Sequence, residues 1–421
     1  MPLQDVLKYL LSLNDRAFEV IRKKEFMLAF IVLVTYLSNP LVYTMRPDTL
    51  ENKLVALSIL REHDFDLDEF MTFNYKNMTL CSSAVNGVCH EDYSDNRGPR
   101  YLNGRVVSFY PILTPLLTVP FYLPLHILGI EDLEAYFTAA KVASSVFVTI
   151  SVLLLYLAVK NLHSEKTALF VALIYAFGTF TWSFSSQDLW QHGVAEMFLA
   201  AGLYALVKGI NDERYMSYSG FFLACLVATR PVNAVIFFIV FLYVAQRGYN
   251  PAKNFLLCSL PPFILMFSYS WVYFGSLLRF GQSQNPLTGW NTPLLDGLCG
   301  QLFGSSNGII TMTPVLTFSF LGMWLSRKNK PLNYLTIAAI VMILIWSKWW
   351  AWQGVMYFGN RMLLDITPIL AFFLAPAYDK ISKNTPLKLL FLFAVAYSVV
   401  VQLLVLFPIF NSAEGFLLYI S

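Results

Sequence analysis

The sequence predicts an all-α polytopic membrane protein with about eleven transmembrane helices. Apolar residues make up 57% of the 421-residue chain and charged residues 13%, whereas soluble domains contain about 45–50% apolar and about 25% charged residues. The apolar residues form long runs, and basic residues cluster between alternate runs. The net charge of +3 is too small and too dispersed to indicate a nucleic-acid partner. We therefore interpret residues 1–421 as one transmembrane domain whose first partner is the lipid bilayer.

The amino-terminal segment, MPLQDVLKYLLSLNDRAFEVIRKKEF, is charged and lacks the pattern of a cleavable signal. Leu3, Val6, Leu7 and Leu10 recur at helical spacing. This pattern predicts that residues 1–25 form a helix lying on the cytosolic membrane surface.

Charged residues, prolines and glycines divide the remaining apolar sequence into the predicted spans. We place them near residues 26–44, 134–159, 166–184, 192–208, 215–229, 232–246, 255–274, 309–326, 332–347, 362–378 and 388–409. One more apolar run, FYPILTPLLTVPFYLPLHILG, is excluded because its prolines predict a broken helix that lies in the membrane interface.

The basic residues support this exclusion. With a cytosolic amino terminus, eleven spans place most Lys and Arg residues in short cytosolic loops, as the positive-inside rule requires. Counting the proline-rich run as a span would move the later basic loops to the outside. The sequence therefore predicts a cytosolic amino terminus and an external carboxyl terminus.

The longest predicted external loop, residues 45–133, carries signs of an oxidising compartment. It contains the glycosylation sequon NMT at Asn77, and Cys81 and Cys89 follow it. We expect these two cysteines to form a disulfide that closes a small loop.

Polar side chains are concentrated in four segments on the predicted external side. These are RPDTLENKLVALSILREHDFDLDEF at 46–70, SSQDLWQHG at 185–193, the Gly- and Asn-rich segment at 281–314, and KWWAWQGVMYFGNRMLLD at 348–365. Ionisable groups at a membrane surface are candidates for function. We therefore expect the four segments to form one cavity.

Asp48 and Glu51 are the predicted catalytic residues of the first segment. They share a helix face, and a partly desolvated carboxylate just outside a span can accept a proton from a hydroxyl group. Their spacing is equally typical of a capping box, which would only start a helix. The acidic run DFDLDEF predicts a solvated turn, with binding of a divalent cation as the alternative.

Three further polar residues, Asp188, Gln191 and His192, crowd a tight turn between two predicted spans. A histidine at a helix start more often has a structural role than a catalytic one. Trp190 beside them is also typical of an interfacial aromatic belt.

Arg361 lies at the outer start of a predicted span, where the positive-inside rule disfavours a cation. An anionic ligand would explain it, because a guanidinium binds phosphate in a bidentate manner. Arg230, in ATRPVN, occupies a similar outer position, and Lys348 precedes the Trp-rich part of the fourth segment. We expect these three residues to bind a phosphate.

These segments together resemble a known family. PDTLENKLVALSILREHDFDLDEF, GRVVSFYPILTPLLTVPFY, SSQDLWQHG and GNRMLLDITPIL, in this order, resemble the bacterial and archaeal membrane glycosyltransferases of the GT-C superfamily, relatives of protein O-mannosyltransferases and of the lipid A aminoarabinose transferase. The resemblance implies a GT-C-like helical membrane enzyme with a catalytic acid in its first external loop, at Asp48, and with interfacial helices in that loop, the second of them at Tyr110. It also implies a location in the plasma (inner) membrane with an extracytosolic active site.

The reaction that this resemblance suggests is transfer of a sugar from a polyprenyl-phosphate donor to a hydroxyl acceptor on a glycan, lipid or protein. Asp48 would be the base, Arg361 with Lys348 or Arg230 would bind the donor phosphate, and Asp188, Gln191, His192 and Tyr110 would contact the acceptor or the sugar. No cofactor is expected, with a divalent cation as the alternative. A transporter or flippase, and a surface-polysaccharide polymerase or ligase that uses a diphosphate-linked donor, are the competing interpretations.

Overall fold

The computed structural model describes residues 24–39, 47–70, 74–75, 78–79, 84–85, 88–89, 100–102, 104–279, 289–354, 359 and 361–406. The predicted surface helix of residues 1–25 lies almost wholly outside these ranges, as do Asn77, Cys81 and the side chain of Cys89. The surface helix and the disulfide therefore stay predictions.

Helices dominate the described residues, which confirms the predicted all-helical class. In chain order they are α1 Lys24–Ser38, α2 Pro47–Arg61, α3 Leu113–Ile127, α4 Leu133–Lys160, α5 Glu165–Phe177, α6 Gln191–Gly209, α7 Arg214–Thr229, α8 Ala234–Ala245, α9 Tyr249–Phe274, α10 Leu294–Phe303, α11 Ile309–Met312, α12 Phe318–Ser326, α13 Lys330–Lys348, α14 Thr367–Ile381 and α15 Thr385–Leu406. A helix is present within each predicted span. The number of spans, about eleven, stays a prediction.

Among the described residues, five helical segments are long and apolar enough to cross a bilayer by themselves, which identifies an integral membrane protein. They are α4, α9, α13, α15 and the stretch Arg361–Ile381, which contains α14. In the apolar part of Arg361–Ile381, 83% of the residues are buried, whereas the corresponding share is 28% in α9 and 39% in α15. The stretch with α14 therefore lies at the centre of the bundle, and α9 and α15 face outward.

Glycines allow two close helix approaches in the bundle. A Cβ at Gly322 in α12 would overlap the backbone carbonyl of Phe373 in α14, and one at Gly220 in α7 would overlap that of Phe255 in α9. Helix contact in membranes depends on small residues of this kind, because lipid gives apolar side chains no drive to associate.

The proline-rich run differs from its prediction. It forms the continuous helix α3, with Pro120 and Pro124 inside it, so the prediction of a broken helix is wrong. The two prolines are four residues apart, and the two missing N–H donors lie on one face. The hydrogen bonds of the other faces keep the helix continuous. Its predicted position in the membrane interface stays a prediction.

Short extended segments connect α2 to α3. The described part of this loop contains three two-stranded antiparallel ladders: β1 Asn74–Tyr75 with β2 Met78–Thr79, β3 Ala84–Val85 with β4 Val88–Cys89, and β5 Arg100–Leu102 with β6 Arg105–Val107. The acidic run joins the last ladder, since Leu67 N donates to Val106 O at 2.7 Å and Val106 N donates to Asp68 Oδ1 at 2.6 Å. The acidic run and the β5–β6 ladder are therefore joined by hydrogen bonds within the loop.

Candidate functional site

The four polar segments contact one another in the structure, and the single cavity expected from the sequence stays a prediction. Asp48 of the first contacts Arg361 of the fourth, and Thr49 contacts Asp188 of the second. The third segment joins through Gly359 N, which donates to Ser306 O at 2.7 Å. Contacts between parts of the chain this distant define one polar site at one end of the helical bundle.

The centre of this site is an ion pair between Asp48 and Arg361. Asp48 lies in the first turn of α2, and Arg361 begins a 3₁₀ turn, Arg361–Ile366, that leads into α14. Arg361 Nη1 donates to Asp48 Oδ2 at 2.8 Å across 313 residues of sequence. The Asp48 side chain is 30% exposed and the Arg361 side chain is 14% exposed. Solvent or a ligand can therefore reach the pair.

Aromatic rings and a glycine turn fix the direction of Arg361. Its guanidinium carbon lies 5.7 Å from the ring centre of Trp190, and the Trp190 ring is stacked on Phe184 at 4.2 Å. Gly359 has φ +93°, and a Cβ there would overlap the Phe180 ring. Only glycine adopts this backbone without cost. Trp190 thus contributes a cation–π contact in addition to any place in an aromatic belt.

Asp188 anchors α2 to the turn before α6. Its two carboxylate oxygens accept from Thr49 Oγ1 and pair with Lys53 Nζ, each at 2.6 Å. The side chains of Lys53 and Asp188 are only 4% and 9% exposed, and Asn52 Nδ2 adds a hydrogen bond to Leu189 O at 3.0 Å. These contacts fix the helix that carries Asp48.

Glu51 anchors the opposite side of α2 to the segment that precedes α3. Its carboxylate is buried, and Oε2 accepts from Ser108 Oγ at 2.9 Å and from Phe109 N at 2.7 Å. Asp48 and Glu51 therefore point their carboxylates at different parts of the chain, which does not favour the capping-box interpretation.

Tyr110 lies next to the ion pair and lines an apolar pocket. Burial raises the pKa of its phenol well above the usual range, and so do the nearby carboxylates of Asp48 and Glu51. The pocket beside it is formed by the start of α3 and by α7 and α9, with Ala228, Leu265, Met266, Tyr269 and Phe274 among its walls.

A buried triad of His192, Asp365 and Arg230 lies beneath the site. His192 Nδ1 is 3.2 Å from Asp365 Oδ1, and Arg230 Nε is 2.8 Å from the same oxygen. Arg230 Nη1 lies 3.4 Å from His192 Nε2. The guanidinium of Arg230, predicted to bind phosphate, is thus engaged by Asp365. The sequence interpretation missed Asp365, although this acid within a predicted span was visible in the motif GNRMLLD.

Gln191 and Lys348 have few partners. Gln191 is 3% exposed, and neither polar atom of its amide has a hydrogen-bond partner among the described residues. Lys348, in the last turn of α13, is partly exposed, and its amine forms no ion pair in the described part of the chain. The amine of Lys348 is therefore accessible to a ligand, whereas the Gln191 amide is buried without a partner among the described residues.

Lys141 is buried inside α4 and has a structural explanation. Its Nζ donates to Ser186 O at 2.7 Å and to Gln187 Oε1 at 2.9 Å. Ser144 Oγ donates to Ser185 O and Asp188 O. These donors satisfy carbonyls that the end of the π-helical turn Thr181–Ser185 leaves unpaired.

Metal ligands do not converge in the residues that the structure covers: within those ranges, no group of three or more His, Cys, Asp or Glu side chains is placed to hold an ion.

Two membrane transferases share this fold. The structure of ArnT from Cupriavidus metallidurans bound to undecaprenyl phosphate aligns with a TM-score of 0.52 and 14% identity, over 90% of this chain and 69% of that protein. The apo oligosaccharyltransferase of Archaeoglobus fulgidus aligns with a TM-score of 0.51 and 13% identity, over 94% of this chain and 55% of that enzyme. The chain thus spans about half the length of the archaeal enzyme.

The archaeal oligosaccharyltransferase has also been solved in complex with zinc and sulfate, and that structure aligns with a TM-score of 0.50 and 13% identity, over 89% of this chain and 52% of that one. No protein-family model matches the sequence, and no curated protein matches it. The structural matches confirm that the chain has the fold of GT-C glycosyltransferases.

Proposed function

We propose that this chain, which has the GT-C fold, transfers a sugar from a polyprenyl-phosphate donor to a hydroxyl acceptor at the extracytosolic face of the plasma (inner) membrane. The observation that carries the proposal is the ion pair of Asp48 and Arg361, which joins a carboxylate and a guanidinium at a partly exposed position. Undecaprenyl phosphate bound to the ArnT neighbour supports a lipid-phosphate carrier.

The proposed reaction is a single displacement. Asp48 accepts the proton of the acceptor hydroxyl, and the resulting oxygen attacks the anomeric carbon of the sugar. The bond between this carbon and the phosphate oxygen breaks at the same time, and the bonding electrons leave with the lipid phosphate. Arg361 neutralises the charge that develops on this phosphate. Attack opposite the leaving group inverts the anomeric configuration.

The other cations have different roles in this proposal. Lys348 is the second phosphate ligand, because its amine has no ion-pair partner among the described residues. Arg230 acts indirectly: its pairing with Asp365 holds the 3₁₀ turn that carries Arg361 against the end of α7.

Gln191 is the residue best suited to bind a sugar hydroxyl. A buried amide without partners is costly, and a carbohydrate offers both donors and acceptors. His192 and Tyr110 are proposed to border the same space, whereas Asp188 and Glu51 support it by anchoring α2.

The experiment that tests this function compares donors in proteoliposomes containing the purified protein. We expect a polyprenyl-monophosphate sugar to be consumed in the presence of a hydroxyl acceptor, with release of polyprenyl phosphate. Consumption of only a diphosphate-linked oligosaccharide would identify a polymerase or ligase. Movement of a lipid-linked sugar across the bilayer without consumption would identify a transporter or flippase.

A further inference from the structure

The Asp48–Arg361 ion pair joins two groups that the proposed reaction needs separately. Arg361 Nη1 donates a hydrogen bond to Asp48 Oδ2 at 2.8 Å. A phosphate that binds this edge of the guanidinium competes with Asp48 for Arg361. The Asp48 oxygen that Arg361 holds is in turn not open to an acceptor hydroxyl.

We infer that substrate binding is ordered: the donor phosphate displaces Asp48 from Arg361, and Asp48 becomes available to the acceptor only after the donor is bound. This inference rests on the proposed function and specifies how its site is controlled. It gives Asp48 a second role, because the carboxylate occupies the phosphate site until the donor arrives.

The surroundings of the pair permit this exchange. The guanidinium is held by the Trp190 ring, which is stacked on Phe184, so Arg361 keeps its place when Asp48 leaves. The backbone of α2 is fixed by Thr49 and Lys53, both bound to Asp188. The exchange thus requires a rotation of the Asp48 side chain and no movement of the helix.

Exposure of the pair also favours exchange. Asp48 is 30% exposed and Arg361 14%, in contrast to the buried pairs of Lys53 with Asp188 and of Arg230 with Asp365. Partly exposed ion pairs are weak, whereas a phosphate offers Arg361 a bidentate contact and a higher charge. The donor phosphate can therefore displace Asp48 from Arg361.

Competition predicts an unusual effect of Asp48→Asn on binding. An Asn side chain does not compete for the guanidinium as a charge, so polyprenyl phosphate should bind the variant about threefold to tenfold more tightly than the wild type. Asp48→Ala should show the same gain, which guards against an effect specific to Asn. If Asp48 instead positioned Arg361 for the donor, both variants would bind more weakly.

The measurement is the Kd of polyprenyl phosphate for the full chain in nanodiscs, with melting curves to show that each variant is folded. Glu62→Gln is the matched control, because it removes one carboxylate charge from the exposed residue just after α2, at the opposite end from Asp48. Its affinity should equal that of the wild type.

Unchanged or weaker binding by both Asp48 variants contradicts ordered binding, and so does an equal gain in Glu62→Gln, which would indicate a general charge effect. If only the ordered-binding inference is wrong, the wild type still consumes the polyprenyl-phosphate sugar. A wild type that neither binds polyprenyl phosphate nor consumes its sugar derivative overturns the proposed function together with the inference.

Discussion

Replacement of Asp48 by Asn separates catalysis from stability. Asp48 forms one partly exposed ion pair with Arg361, and such pairs contribute about 0–1 kcal/mol to stability. Asn is also as good as Asp near a helix start. The anchors of α2 on Asp188 and on Phe109 are unaffected. We therefore expect a melting temperature close to that of the wild type.

Turnover should respond very differently from stability. Loss of a general base slows a reaction by roughly 100- to 10,000-fold, and Asn accepts no proton at neutral pH. The assay is release of polyprenyl phosphate from a radiolabelled polyprenyl-phosphate sugar in proteoliposomes, measured per folded molecule. Near-normal turnover of a folded Asp48→Asn protein would refute the assignment of Asp48 as the base.

Glu51→Gln is the matched comparison. Glu51 is buried and its Oε2 accepts two hydrogen bonds, and hydrogen bonds to a charged group are worth about 1.5–3 kcal/mol. This variant should melt at a lower temperature, while its folded fraction keeps turnover within about tenfold of the wild type. The opposite pattern, a stable but inactive Glu51→Gln, would move the base to Glu51.

The remaining predictions concern the phosphate ligand, the pH dependence, the topology and the disulfide. Arg361→Ala should weaken donor binding and lower kcat together, and Arg361→Lys should restore only part, because a point charge cannot reproduce a bidentate contact; wild-type kinetics in the Ala variant would remove Arg361 from the site. Burial and neighbouring acidic side chains raise the pKa of Asp66, so the folded state binds the proton more tightly than the unfolded chain, and stability falls as pH rises from the unfolded value of about 3.9 through the raised pKa. Asp66→Asn should therefore melt higher than the wild type at neutral pH, and an equal or lower melting temperature would contradict this sign. A cysteine at Lys328 in a cysteine-free background should be protected from an impermeant maleimide added outside, and labelling there would reverse the topology. Non-reduced peptide mapping should find Cys81 joined to Cys89, and two free thiols would end that expectation.

Helix positions could be predicted because they depend on local sequence. A run of apolar residues must form a helix to satisfy its backbone in lipid, and each predicted span contains one. The continuity of α3 was not predictable from its prolines alone, because prolines at positions 120 and 124 remove hydrogen bonds from one face only.

Partners of the polar side chains were less accessible to sequence reasoning. The sequence identified Asp48 and Arg361 separately, and the structure joins them. It did not indicate that Asp188 binds Lys53 or that Asp365 binds Arg230, since each contact joins segments more than 100 residues apart. Such pairings follow from tertiary packing and leave no periodic pattern in the chain.

We propose that the Asp48–Arg361 site performs one displacement on a monophosphate-linked sugar. The most direct test follows the carrier by mass spectrometry and the product anomer by NMR in the same reaction, with wild type, Asp48→Asn and Arg361→Ala proteins. We expect the wild type to release polyprenyl monophosphate and one product of inverted configuration, and both variants to release almost none. Retained configuration, release of a diphosphate carrier, or equal product from the variants would contradict it.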